Sequence, residues 1–232
     1  ITYFTRNNMN TAHIWWATPD IDKNIAQIAR VSNPSNQMNQ EYRGLLQYMI
    51  REGHVSPFEM VNVCMEINTT RDIARQILRH RSFSFQEFSQ RYQTVEALGQ
   101  LDTTREPRRQ DKKNRQNSIP LDYLQDKDRI LGSQWEYRLK TITEDIQRHY
   151  DWAIAAGIAK EQARAILPEG LTPSRMYMNG TLRSWIFYLK QRLDPSTQKE
   201  HRIVAKCAYN ELCHVAPITM EAMFGTQDKL DT

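Results

Sequence analysis

Arg79-His80-Arg81 is a run of cationic side chains, and Ser82, Ser84, Glu87, Ser89 and Arg91 follow it closely. Guanidinium groups keep their charge at any working pH and present a planar fork of donors. Their bonds to phosphate or carboxylate belong to the strong, charge-assisted class. With hydroxyls and a carboxylate beside them, these residues could line a polar pocket for an anionic ligand. The triplet also has a plainer reading, because Arg and His in a last helical turn complement the macrodipole and meet free carbonyls. Elsewhere, His54 and Ser56 flank a proline turn, Arg164 precedes Ala165-Ile166-Leu167-Pro168, and Arg183 and Arg192 stand nine residues apart. No CxxC pair or His-rich cluster has ligand spacing, so no metal is expected.

The elements that must hold these groups are readable from periodicity. The stretch 70–92 organises the chain. At 100° per residue Ile73, Ala74, Ile77 and Leu78 share one helical arc, with Arg71, Asp72, Arg75, Gln76 and Arg79 opposite. Thr70 is the expected N-cap. A helical Arg81 would fall inside the apolar arc, so either the helix stops near His80 or Arg81 is buried against an anion. Phe83 and Phe85 then alternate with Ser82, Ser84 and Gln86, as in a short strand. Upstream, Val61, Val63, Met65 and Ile67 alternate with Asn62, Cys64, Glu66 and Asn68, which predicts a strand buried on one side.

Residues 2–5 and 13–18 read as short strands, 21–32 and 41–51 as amphipathic helices, and 33–37 as a turn. Gly53 suits the position after the second helix, and Pro57 should push Ser56 towards an extended conformation. A long helix is expected at 131–156, with Trp135, Leu139, Ile142, Ile146, Tyr150 and Ile154 as its apolar stripe. A short helix at 160–166 stops at Pro168. In the next helix Leu182, Trp185, Ile186 and Leu189 form the core stripe and Arg192 closes the element. A last helix spans 197–214. Between 105 and 115 six basic and two acidic residues carry a net +4, equal to the excess of the whole chain. Such a run is a solvated face or a flap that meets an anion.

A chain of 232 residues can bury a sizeable core, and one domain is expected. A 25% charged, 40% hydrophobic composition is that of an ordinary globular protein. No apolar run reaches the ~18 residues of a membrane span, and no export signal opens the chain. Cys64, Cys207 and Cys213 fit a reducing, cytoplasmic compartment. With no basic cluster or His beside them in a pocket-like motif, Cys207 and Cys213 read as core filler.

Taken together, His54-x-Ser56-Pro57-Phe58-Glu59, Ala74-Arg75-Gln76, Arg79-His80-Arg81 through Arg91-Tyr92, Ala163-Arg164-x-x-Leu167-Pro168 and the Arg183/Arg192 pair resemble the flavin-dependent thymidylate synthases over most of the chain. The resemblance implies an α+β fold: a mixed α/β single domain, 1–232, with a small antiparallel sheet flanked by long helices and a basic loop insertion at about 98–130. It implies FAD as cofactor, NADPH and methylenetetrahydrofolate as co-substrates, dUMP as substrate, and a homotetramer with shared active sites. It implies neither a nucleic-acid nor a membrane partner. Carried over by residue, Arg192, Ser89 and His54 are the catalytic candidates. Arg192 lies by the uracil, Ser89 contacts substrate through its hydroxyl, and His54 supports the flavin. Ser56, Arg79, His80, Arg81, Glu87 and Arg183 would meet FAD. Gln76, Arg79, Glu87, Ser89, Gln90, Arg91, Arg164 and Arg192 would meet dUMP.

Three positions depart from the family pattern. Met60 follows SPFE where His is common, Phe187 replaces an Asn or His that bonds the flavin, and Thr181 replaces an Asn. Losing such a donor–acceptor implies a looser flavin site, weaker by roughly 1–3 kcal/mol if its partner is left dry. Two other classes are open to the sequence. One is a single-strand nucleic-acid module using 105–115 with Phe83, Phe85 and Tyr92 as stacking partners. The other is a flavin or nucleotide sensor without turnover.

Overall fold

A computed structural model describes residues 9–225. In chain order the elements are β1 (Thr11–Ala17), α1 (Ile21–Ala29), α2 (Arg43–Arg51), β2 (Asn62–Thr70), α3 (Arg71–Ile77), β3 (Ser84–Glu87), β4 (Arg108–Gln110), β5 (Ser118–Pro120), α4 (Asp126–Ala155), α5 (Lys160–Ala163), β6 (Pro173–Thr181), α6 (Leu182–Arg192), α7 (Lys199–Val215) and α8 (Pro217–Phe224). The expected strand at 2–5 lies outside the described residues. The α+β expectation holds: a small antiparallel sheet is flanked by helices.

The sheet runs β1-β2-β6-β3, every neighbour antiparallel. Val63, Met65, Ile67, Met176 and Met178 are fully buried on its inner face. Side chains of this kind contribute about 1.5–3 kcal/mol each on burial. A one-residue slip would turn all of them outward, so the register is firmly set. The outer face carries a polar ladder, in which Tyr177 Oη donates to Glu66 at 2.8 Å and Arg175 Nε to Asn68 Oδ1 at 3.1 Å.

β2 and β6 pair along their whole lengths, Asn62 opposite Thr181 and Thr70 opposite Pro173. Each runs directly into a helix, so α3 and α6 leave the sheet from opposite ends. The free N–H groups of α3 are met by the sheet connections: Arg71 N donates to Thr172 O at 2.9 Å and Asp72 N to Glu169 O at 3.2 Å. Thr70 therefore does not cap through its hydroxyl. That group is bonded to Asp72 and Arg105 instead. α6 is capped conventionally, with Thr181 Oγ1 accepting from Ser184 N. Trp185, fully buried, donates its indole N–H to Val63 O at 3.0 Å, fixing α6 on β2.

Gly180 permits a close crossing. A Cβ there would lie 2.4 Å from the Phe83 ring, which packs edge-on to Trp185 at 4.9 Å. The loop after α3 is thereby laid flat on β6. The helix ends before His80, and Arg81 is exposed, so the first of the two alternatives for Arg81 holds. Ser56, expected to be extended, opens a 3-10 turn (Ser56–Glu59). Pro57 sits at its start, where the missing N–H has no helical acceptor to lose.

The basic run is neither a solvated face throughout nor a free flap. Arg105 bonds Asp72, Thr70 and Gly170 O, Arg108 bonds Glu200 at 2.8 Å, and Arg109 bonds Asp128. Together with the β4–β5 hairpin these pairs fasten the segment to α3, α4 and α7. The stripe expected along α4 is covered only in part. Leu139 and Tyr150 are buried, but Trp135 and Ile142 are 39% and 53% exposed, and Trp135 is tied down by its indole N–H, which donates to Arg105 O at 2.7 Å. No helix among the described residues is long and apolar enough to cross a membrane.

Candidate active site

The C-terminal ends of α3 and α6 meet over the sheet. Arg192 Nε donates to His80 Nε2 at 3.0 Å, which requires His80 to be neutral with its proton on Nδ1. Burial, reinforced by the Arg192 charge, lowers the His80 pKa to about 4, so the acceptor is present at neutral pH. Burial also pulls Arg192 below its ordinary value and Arg79 adds to this, while Tyr188 opposes it. It remains a cation. The Tyr188 ring stands edge-on to His80 at 5.0 Å. Tyr188 and His201 are buried and bonded through Oη and Nε2 at 3.1 Å. His201 Nδ1 lies 3.3 Å from Gln76 Oε1, and Gln76 Nε2 donates to Gln198 Oε1 at 2.8 Å. Burial, then Arg192 and His80, lower the His201 pKa to about 3.

Towards the end of the sheet where α3 begins, Glu87 of β3 accepts from Ser174 Oγ at 2.8 Å and faces Arg71 at 3.7 Å and Arg75 at 3.9 Å. Arg75 also bonds Glu169 at 3.1 Å. Burial lowers the Arg71 pKa, Glu87 offsets this, and Arg75 and Arg164 add to the lowering, so Arg164 belongs to the same electrostatic neighbourhood. Arg91 pairs with Glu161 at 3.4 Å, and Arg164 Nε donates to Glu161 O. Ser89 Oγ accepts from Arg91 N at 3.3 Å. Gln90 is buried, and its Nε2 has no partner among the described residues.

At the other end, Arg183 in the first turn of α6 pairs with Glu59, and its guanidinium lies 5.6 Å from the centre of the Phe187 ring, one turn further along the same helix. Arg183 Nε and Asn179 Oδ1 are buried without partners among the described residues. Phe187 is half exposed. His54 packs edge-on to Tyr48 at 5.7 Å, and Ser56 is exposed on its turn. The side chains of Arg79 and Arg81 form no ion pair among the described residues.

The fold thus gathers Arg192, His80 and Gln76 at one place and Glu87 and Arg164 at a second. Arg183, paired with Glu59 of the turn that Ser56 opens, stands at the other end of α6 from Arg192, where Ser184 Oγ donates to Ser82 O at 3.2 Å in the loop after the RHR triplet. Nine residues of helix separate Arg183 from Arg192 by about 14 Å of axial rise and half a turn of rotation. Sequence reasoning does not single out His201, Tyr188, Gln198, Arg71 or Ser174 as site residues. Each looks like ordinary helix or strand content until the partner is known. The polar Gln198-Lys199-Glu200-His201 run at the start of α7 is the one available signal.

The sequence matches the family described as "Thymidylate synthase complementing protein" over residues 14–218. It is 52% identical over 184 residues to the flavin-dependent thymidylate synthase of Synechocystis sp., covering 79% of this chain and 80% of that one. It is 46% identical over 178 residues to the probable flavin-dependent thymidylate synthase of Paramecium bursaria Chlorella virus 1, covering 76% and 78%. Among solved structures, a UMP/dUMP methylase from Streptomyces cacaoi bound with 5-Br dUMP superposes with a TM-score of 0.77 at 26% identity, covering 93% of this chain and 95% of that one.

Proposed function

The chain belongs to the flavin-dependent thymidylate synthase family, and from that premise we propose that it converts dUMP to dTMP by reductive methylation. Methylenetetrahydrofolate gives the carbon, and NADPH gives the reducing equivalents through FAD. The observation that carries the reading is the Arg192–His80 bond. A neutral imidazole occupies Nε and leaves both Nη groups of a permanently charged fork for a ligand.

Adding a carbon at uracil C5 builds negative charge on the pyrimidine. Arg192 meets that charge with donors already aimed and partly desolvated, where they are worth far more than in water. Gln76, Arg79, Ser89, Gln90, Arg91 and Arg164 supply donors for the nucleotide phosphate. Glu87, pinned by Ser174 and faced by Arg71, is acceptor-only and suits a sugar hydroxyl of the nucleotide or cofactor. Ser89 contacts substrate and is not a nucleophile, since no base accompanies it among the described residues.

The residues present fit FAD. Arg183 Nε and Asn179 Oδ1, unpartnered among the described residues, offer with the cations Arg79 and Arg81 what a pyrophosphate and a polar ring edge require. Ser56 and His80 complete this group, and His54 supports it. When bound, FAD supplies the redox chemistry, and the protein supplies orientation and electrostatics.

A homotetramer with shared active sites would cover the apolar side chains that α4 leaves partly open, Trp135 at 39% and Ile142 at 53% exposed. We read 1–232 as one domain with its insertion at about 98–130, which the Arg105–Asp72 and Arg108–Glu200 pairs support. A cytoplasmic location suits three free cysteines.

The test is a flavin spectrum of the purified protein, followed by assay of dTMP formation. Turnover should require dUMP, NADPH and methylenetetrahydrofolate together. Flavin-loaded protein that makes no dTMP with all three would leave only a ligand-binding role.

A further inference from the structure

We propose that His201 is a positioning residue that fixes which end of the Gln76 amide faces the substrate. The proposal rests on the reading of Gln76 as a contact to the dUMP phosphate. A glutamine amide has a donor end and an acceptor end of nearly the same shape. Only the NH2 end favours an anion.

The surroundings choose between the two. Gln76 Oε1 can only accept, so the His201 Nδ1 facing it at 3.3 Å carries the proton. A neutral imidazole then has a bare Nε2, and the Tyr188 hydroxyl, 3.1 Å away, donates to it. His201 is completely buried, and Tyr188 nearly so, which leaves no water to restore a lost partner. On its other side Gln76 donates one amide hydrogen to Gln198 Oε1 at 2.8 Å, so its second hydrogen is left for a ligand. With this His201 tautomer and this Gln198 orientation a flipped Gln76 amide would set N–H against N–H and oxygen against oxygen, so the flip requires His201, Tyr188 and Gln198 to reverse together, and it would turn a carbonyl towards the phosphate. Tyr188 is held in its turn by the edge-on His80 ring, so the same packing steadies both Gln76 and the imidazole that holds Arg192.

Two substitutions separate orientation from bulk. The side-chain amide of Asn in His201→Asn can occupy the place of Nδ1, while that of Gln in His201→Gln occupies the place of Nε2. With FAD-loaded enzyme, H201Q is expected to raise KM for dUMP about tenfold with kcat within about twofold, the pattern of lost uniform binding. H201N should stay close to the parent. Y188F, which removes only the donor to Nε2, should raise KM about threefold, a share of one hydrogen bond. Q76A is the reference. If Q76A leaves KM unchanged, Gln76 is not a substrate contact, and the reading beneath the proposal falls with it. If Q76A raises KM while H201Q and Y188F do not, or H201N and H201Q are equally impaired, the orienting role is overturned and His201 is packing alone.

Discussion

At its C-terminal end α6 delivers Arg192 into a set of groups that are nearly all partnered. His80 takes its Nε, Tyr188 bonds His201, and His201 and Gln198 share the two ends of Gln76. At its N-terminal end the same helix delivers Arg183 to Glu59 and a half-exposed Phe187, with Arg183 Nε and the nearby Asn179 Oδ1 unpartnered among the described residues. The contrast separates two ways of building a binding surface. The first end is rigid before any ligand arrives, as charge stabilisation in a reaction demands. The second keeps desolvated donors and acceptors in reserve, so its order depends on what binds there.

The contrast is broken most severely by Arg192→Ala. Removing a preorganised donor of this kind costs roughly 10²–10³ in kcat, and a dTMP assay with saturating dUMP should read that loss while FAD stays bound. Undiminished catalysis would end the proposed role.

Acid attacks the same end through its histidines. His80 and His201 have native values of about 4 and about 3, both below the ordinary 6.5. Between 6.5 and the lowered values the unfolded chain binds protons that the native chain does not. Their contribution is therefore whole above pH 6.5 and is lost as pH falls through about 4 and then about 3. Melting temperatures should drop across that window, and H201N should flatten part of the drop.

The smallest effect belongs to the open end. If position 187 faces the flavin, as the family resemblance implies, Phe187→Asn supplies an amide there and should tighten FAD by about 1 kcal/mol, roughly fivefold. Fluorescence titration of the apoprotein measures it. A parent protein that already holds stoichiometric, slowly exchanging FAD would show that the open end is not loose.

Much of this is legible from residue pattern. The cost of an unpaired cation in the apolar arc narrows the sequence to two alternatives, of which the structure takes the helix stop before His80, and the core stripe of α6 follows from its spacing, with Leu182, Trp185 and Leu189 fully buried. The central strand β6 is not legible. Pro, Asn and Gly are weak strand formers, and the alternation of Ser174, Met176, Met178 and Gly180 shows as one buried face only once β6 is paired with β2 and β3 in the sheet. Pro173 is tolerated because it opens the strand. α8 is hidden as well: its start is fixed by Asp22, which accepts from Ile218 N, Thr219 N and Thr219 Oγ1, a partnership almost two hundred residues distant in sequence. His201 cannot be told from core packing by pattern, since its meaning lies in the two side chains it touches.

The crossing of Phe83 over Gly180 has a consequence for how this protein can change. A side chain at 180 forces the aromatic ring at 83 out of its present place, so the two positions are not free to vary independently. Gly180→Ala alone displaces the ring and the cationic loop behind it. The same alanine after Phe83→Ala meets no such obstacle. A side chain at 180 is therefore accommodated more easily once the ring at 83 has been given up.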